Sequence, residues 1–219
     1  MIDVTLTRPH LIARLAAPLR MLSWAPYRPG FVTADTVIWR EVRNADLTPD
    51  FDAIGWLAEQ MSALAMPEAV GLLTSRDIGT YRLEQAVSGR SMGQCLATVG
   101  LSNAERIGSR MPVTAAPTGT INLLAVTDTA LTDTAMIEAL SIAAQARTAA
   151  VMDAALDLPT GRATGTGTDC IVLACPPGDT GYAGLHTDVG EAIGRAVYRA
   201  VVAGAQHWME TEAATGHPG

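Results

Sequence analysis

The feature that most constrains the fold is a change of rhythm near the middle of the chain. Through residue 102 the apolar residues come in short bursts: VTLTR near the start, TVIWREV at 36–42, VGLLTS at 70–75, YRLEQAV at 81–87 and QCLATVGLS at 94–102. Each is rich in β-formers or alternates in polarity, and each is bounded by Pro, Gly or Asp, which predicts strands. One helix interrupts them. TPDFDAIGWLAEQMSAL opens on aspartates and repeats Ile54, Leu57, Met61 and Leu64 at helical spacing.

Beyond that point the segments lengthen. GTINLLAV at 119–126 reads as a buried strand, and LTDTAMIEALSIAAQARTAAVMDAAL as an alanine-rich helix. The helix is expected to begin near Thr132, with Asp133 and Glu138 early and Pro159 and Gly161 ending it. DCIVLAC predicts another strand. HTDVGEAIGRAVYRAVVAGAQHWMETEA predicts a last helix, whose Gly190, Gly194 and Ala200 suit close packing. Strands that follow one another without a helical crossover pair antiparallel, while the β–helix–β second half adds parallel pairs. The expected fold is α+β: a single domain over residues 1–210, with a mixed, largely antiparallel sheet covered by helices and a flexible tail at 211–219.

Composition excludes several functions. The chain has 219 residues, 48% of them hydrophobic and 17% charged, which suits one globular domain with a large core. A net charge of −7 argues against nucleic acid as partner. All 15 basic residues are arginine, so no catalytic lysine, Schiff base or P-loop lysine is available. Arg8, Arg14, Arg20 and Arg28 fall in an acid-free segment that superficially resembles a transit peptide; an ordinary first strand pair explains it better. No apolar run approaches the roughly twenty residues of a membrane span, and no signal-peptide core follows Met1, so no membrane partner and a cytoplasmic location are expected. Cys170 and Cys175 point to opposite faces of one strand, and with Cys95 they read as buried free thiols. The four histidines are scattered without zinc-ligand spacing, so no metal site is expected.

The polar, Gly/Pro-rich stretches at 103–118 and 159–168 are where a site forms most easily. In RATGTGTD, Gly165 and Gly167 let the backbone approach a ligand, and Thr164, Thr166 and Thr168 alternate, hence face one side of an extended segment. Asp169 either does chemistry or caps its own turn. His186 stands at a loop-to-helix junction beside Thr187 and Asp188, one of which caps the helix. Asn103 is an amide donor or the N-cap of a turn starting at Ala104. Thr118, Thr120 and Asn122 share one strand face, and Asn122 is costly to bury unpartnered. Trp24 and Tyr27, with Phe31, form a flat platform for a large ring or seal the core.

Together, LSWAPYRPGF, VGLLTS, TVGLSNAERIG, GTINLLAV, ATGTGTDCIVLAC and YAGLHTDVGEAIGRAVYRAV resemble, in order, the adenosylcobinamide amidohydrolase family of corrinoid salvage. The resemblance implies hydrolysis of the amide joining the aminopropanol arm to the corrin ring of adenosylcobinamide or a related cobamide, giving adenosylcobyric acid. The cobalt corrinoid is then substrate or ligand, and no catalytic cofactor is implied. His186 with Asp169 would move the protons. Backbone amides of the 165–168 loop, with Asn103 or Asn122, would hold the oxyanion, and water, Thr166 or Thr168 would attack. Trp24, Tyr27, Thr120, Gln145 and Arg147 complete the expected substrate contacts. One departure stands out: where the family commonly has Thr-Glu-Ala-Lys, this chain has Ala144-Gln145-Ala146-Arg147. Loss of that carboxylate leaves a non-hydrolytic corrinoid-binding protein as the alternative. The small-residue faces of the last helix permit a homodimer.

Overall fold

One strand of 14 residues, His10–Ser23 (β2), organises the sheet. Its first half pairs antiparallel with Asp3–Thr7 (β1), so the arginine-rich segment is the strand pair expected. On the same edge its second half takes Cys170–Cys175 (β12), and the other edge takes Gly30–Glu41 (β3). The β2–β3 register shifts between Arg14 and Leu19, an irregularity that bends the ribbon. Val70–Thr74 (β4) lies parallel to β3, and Ile121–Thr127 (β8) parallel to β12. Ser91–Val99 (β6) and Arg82–Ser88 (β5) complete the other side as an antiparallel hairpin. The order is β4-β3-β2-β12-β8-β6-β5, with β1 beside β2: a mixed, mainly antiparallel sheet in a single α+β domain. Two small pairs stand apart, Ala104–Glu105 (β7) with Gly165–Thr166 (β11), and Asp157–Leu158 (β9) with Gly161–Arg162 (β10). The structure is a computed structural model describing residues 1–42, 52–112 and 119–215, with side chains to Thr211. Thr118 and His217 lie outside the described residues.

The period-two alternation sorts side chains onto two faces. Leu11, Ala13, Met21, Val37 and Trp39 share an inner core with Leu96, Leu124, Val126, Cys170, Val172 and Ala174. Strands from the two ends of the sheet order thus meet over one apolar interior, which requires the sheet to curl. The Ile2 amide, donating to Gln94 Oε1 at 2.9 Å, ties the chain start across to β6. The opposite residues, Ile121, Leu123, Ala125, Ile171, Leu173 and Cys175, face outward into a second core under the long helices. Full burial of each large aliphatic side chain contributes about 1.5–3 kcal/mol.

Helix Ala53–Ala63 (α1) is capped by Asp52 and seats Leu57 and Met61 on Ile12 and Ile38. Its fourth expected apolar contact, Ile54, faces solvent instead. Asp133–Ala154 (α2) starts as expected, with Thr132 Oγ1 accepting from Ala135 N. It ends before Pro159: Ala155 turns left-handed at φ 67°, and Pro159–Thr160 become the turn between β9 and β10. Asp188–Thr215 (α3) continues past residue 211. Its small residues pack within the chain. A Cβ on Gly93 of β6 would come within 2.6 Å of the Ala192 backbone, so glycine there lets helix and strand touch.

All three cysteines are free and buried, Cys170 in the inner core and Cys95 and Cys175 in the outer. Burial disfavours the thiolate, raising Cys175 to about 11 and Cys170 to about 12, with Cys95 raised as well. An unfolded thiol ionises near 8.5, so below that pH both states keep their protons and the stabilisation is complete. As pH rises toward the folded values only the unfolded chain loses protons, and stability falls by about 1.4 kcal/mol per pH unit per thiol. Urea midpoints are therefore expected to drop steadily above pH 9, and Cys95→Ala to flatten that slope by about one thiol's worth.

Candidate active site

The inner core ends in a cavity of about 420 Å³ at the first residues of β8 and β12. Its wall is assembled from segments far apart in sequence: Trp24 and Pro26 after β2, Val42 after β3, Leu73–Ser75 ending β4, Asn103 after β6, Gly119, Thr120 and Asn122 entering β8, and Thr168–Cys170 entering β12. Five of the six motifs noted in the sequence thus converge here. Thr74, Ser75, Gly119 and Cys170 were not among the expected site residues. Their signal was position: hydroxyls at the end of one strand and small residues at the start of two others.

The RATGTGTD loop is held by Asp169. Its Oδ1 accepts from Ile121 N at 3.1 Å and from the Thr166 hydroxyl, and its Oδ2 accepts from Thr166 N at 3.0 Å and pairs with Arg147 of α2. The carboxylate side chain is 6% exposed and the guanidinium 16%, so the pair is buried, and that burial lowers the Arg147 pKa. Gly165 is required where the pair passes: a Cβ there would lie within 2.6 Å of Asp169 Oδ2 and closer still to Arg147 Nη1. Backbone atoms continue the web, with Trp24 Nε1 donating to Asp169 O at 2.7 Å and Thr120 Oγ1 to Thr168 O at 2.7 Å. Trp24, 47% exposed, therefore presents an anchored ring at the rim.

The three threonines do not share one side. Thr164 Oγ1 is buried and accepts from Ile107 N at 2.8 Å, Thr166 serves Asp169, and Thr168 alone lines the cavity. Thr168 donates its proton to Gly119 O at 2.8 Å, so its bond to Asn103 Nδ2, at 3.2 Å, must be accepted. This polarity leaves the second Asn103 N–H available. Asn103 caps no helix, because Ala104 begins strand β7. Two of the expected backbone oxyanion donors are engaged: Thr166 N by Asp169 and Gly167 N by Asn103 O at 3.2 Å. Asn122 Nδ2 donates to Leu73 O at 2.8 Å, a tie from β8 to β4 across the mouth.

Besides Gly165, Thr166 and Gly167 of the loop, four further expected contacts fall outside the cavity lining. His186 is exposed, and Thr187 Oγ1, accepting from Gly190 N at 3.0 Å, caps α3. Asp188 receives Arg90 N at 3.2 Å from the β5–β6 turn, at the Thr127 end of β8. The cavity is at the Ile121 end, six residues or roughly 20 Å away, so His186 and Asp169 do not pair. Tyr27 donates to Pro67 O at 2.9 Å and packs with the α1 cluster rather than on the platform. Gln145 is exposed, with Nε2 3.5 Å from Ser141 Oγ, and Arg147 meets Asp169 rather than the cavity. Among the described residues no group of three or more His, Cys, Asp or Glu is placed to hold a metal ion.

Two buried polar residues of the inner face predict opposite effects. Asn122, 1% exposed, is bonded; Thr98, fully buried on the neighbouring strand, has no partner for Oγ1 among the described residues. Asn122→Ala is expected to cost about 1–3 kcal/mol in urea unfolding, whereas Thr98→Val is expected to be neutral or stabilising.

Residues 2–213 match the model of the family described as adenosylcobinamide amidohydrolase. A curated relative of that name from Halobacterium salinarum is 38% identical over 113 residues, covering 48% of this chain and 46% of the relative. The match thus spans about half the length of that relative. With the family model covering nearly the whole chain and the motifs meeting at one cavity, the chain belongs to the adenosylcobinamide amidohydrolase family.

Proposed function

We propose that this protein hydrolyses the amide joining the aminopropanol arm to the corrin ring of adenosylcobinamide or a related cobamide, releasing adenosylcobyric acid for salvage. The observation that carries this reading is the convergence of five separated motifs on one open cavity beside an anchored indole. A corrin ring with its side chains exceeds about 420 Å³. The ring therefore rests at the rim against Trp24, and the arm with its amide enters.

Hydrolysis adds hydroxide to the acyl carbon and a proton to the leaving nitrogen. The second Asn103 N–H, its direction fixed by Thr168, is the donor for the developing oxyanion. Water is the attacking group, because Thr168 donates to the Gly119 carbonyl, which is too weakly basic to take its proton, and Thr166, although bonded to Asp169, does not line the cavity. Cys170 lines the cavity, but burial keeps its thiol protonated. Asp169 serves as a structural anchor and His186 stands outside the reaction. The exposed position of Gln145 favours hydrolysis over binding alone, since the exchanged carboxylate position is outside the cavity.

Incubation with adenosylcobinamide tests the reading, because cleavage adds a carboxylate that ion exchange detects. Asn103→Ala is expected to slow release by about 10²–10³-fold, and His186→Ala to stay within about twofold of the parent. Tight corrinoid binding by visible absorption with no acid released would replace hydrolysis with the carrier reading.

A further inference from the structure

Arg147 projects from a helix on the outer face of the sheet, yet it meets a carboxylate whose neighbours line the cavity. Its Nε is buried without a partner among the described residues, and its hold on Asp169 runs through Nη1. Asp169 in turn grips Thr166 by both amide and hydroxyl, and Ile121 by its amide. Thr166 is the near end of the short turn that carries Gly167 and Thr168. Ile121 follows Thr120, which receives that turn through the Thr168 carbonyl.

The two loop glycines separate this role from simple crowding. Neither has the left-handed φ that disfavours a side chain. A Cβ on Gly165 would strike the ion pair, while one on Gly167 would meet nothing nearer, among the described residues, than Asn103 Nδ2 at 3.8 Å.

We propose that Arg147 is a positioning residue: through Asp169 it sets the turn on which Thr168 orients Asn103, without touching substrate. The catalytic part of this inference rests on the function proposed above; the structural part does not. Removing the guanidinium frees Asp169 to turn toward water, releases Thr166, and lets the Thr168–Asn103 polarity drift. The loss appears in turnover more than in binding, because Trp24 and the apolar wall remain.

Amide hydrogen exchange and kinetics on the full chain test it together. In Arg147→Ala, exchange at Thr166 and Ile121 is expected to rise at least about tenfold, with Leu124 in mid-β8 unchanged. The kcat for adenosylcobinamide is expected to fall about tenfold while the corrinoid Kd stays within about threefold. Arg147→Lys should recover part of both effects. Gly165→Ala, which blocks the pair without removing charge, should reproduce them, and the double variant Gly165→Ala/Arg147→Ala should lose no more than either single one. Gly167→Ala should leave exchange at both amides at the parent rate. Unchanged Thr166 exchange in Arg147→Ala, or effects of the two substitutions that simply multiply, would overturn the inference. Should Arg147→Ala not fold, the same exchange and turnover measurements on Arg147→Lys and Gly165→Ala decide the question. Should the parent release no acid, the proposed activity fails, and the exchange data still decide whether Arg147 holds the turn.

Discussion

A buried carboxylate is sustainable only where its charge is met, and the site is organised around meeting the charge of Asp169. Taking an ion out of water costs several kcal/mol, which is offset only by an opposite charge and well-made hydrogen bonds. Asp169 gathers a guanidinium from α2, an amide from the head of β8, and an amide and hydroxyl from its own loop. A Gly/Thr stretch with little apolar surface thereby acquires one shape. The same residue's main-chain carbonyl receives the Trp24 indole, so the aromatic rim and the polar wall share an anchor.

That anchor sits where the curled sheet ceases to be apolar. Along β8 the inner face runs Asn122, Leu124, Val126, so the polar residue comes at the end where the interior opens. Asn122 reaches Leu73 across the mouth, and Thr120 reaches the carbonyl of Thr168. Among the described residues the resulting wall is built of neutral dipoles, with one carboxylate that Arg147 already neutralises. Fixed dipoles stabilise developing charge without reorganising, which suits the oxyanion of the proposed amide hydrolysis.

Much of this was legible in the chain. Period-two bursts marked the strands, Asp-led helical spacing marked α1, and Thr132 marked the start of α2, because these are local properties of a few consecutive residues. The opposite orientation of Cys170 and Cys175 followed from strand alternation alone. The family resemblance also lay in ordered motifs that the fold then brought together. Less legible were roles that depend on a distant partner. Asn103 resembles a helix cap until Ala104 is seen paired in β7, and Gln145 and Arg147, two residues apart, diverge because a helix turns about 200° between them. His186 looked like a site residue because a titratable group at a helix start often is one. Its junction, however, lies at the end of the sheet away from the cavity.

The sequence by itself determined the element types, their order and the family, since propensity, periodicity and motif order are written along the chain. Tertiary structure decided which polar groups were already engaged. Which way Thr168 donates, and what Asn122 ties together, depend on carbonyls at Gly119 and Leu73 that only the folded sheet brings within 3 Å. Hydrogen bonds are short and directional, so a shift of an ångström creates or removes one, and linear spacing does not encode that distance.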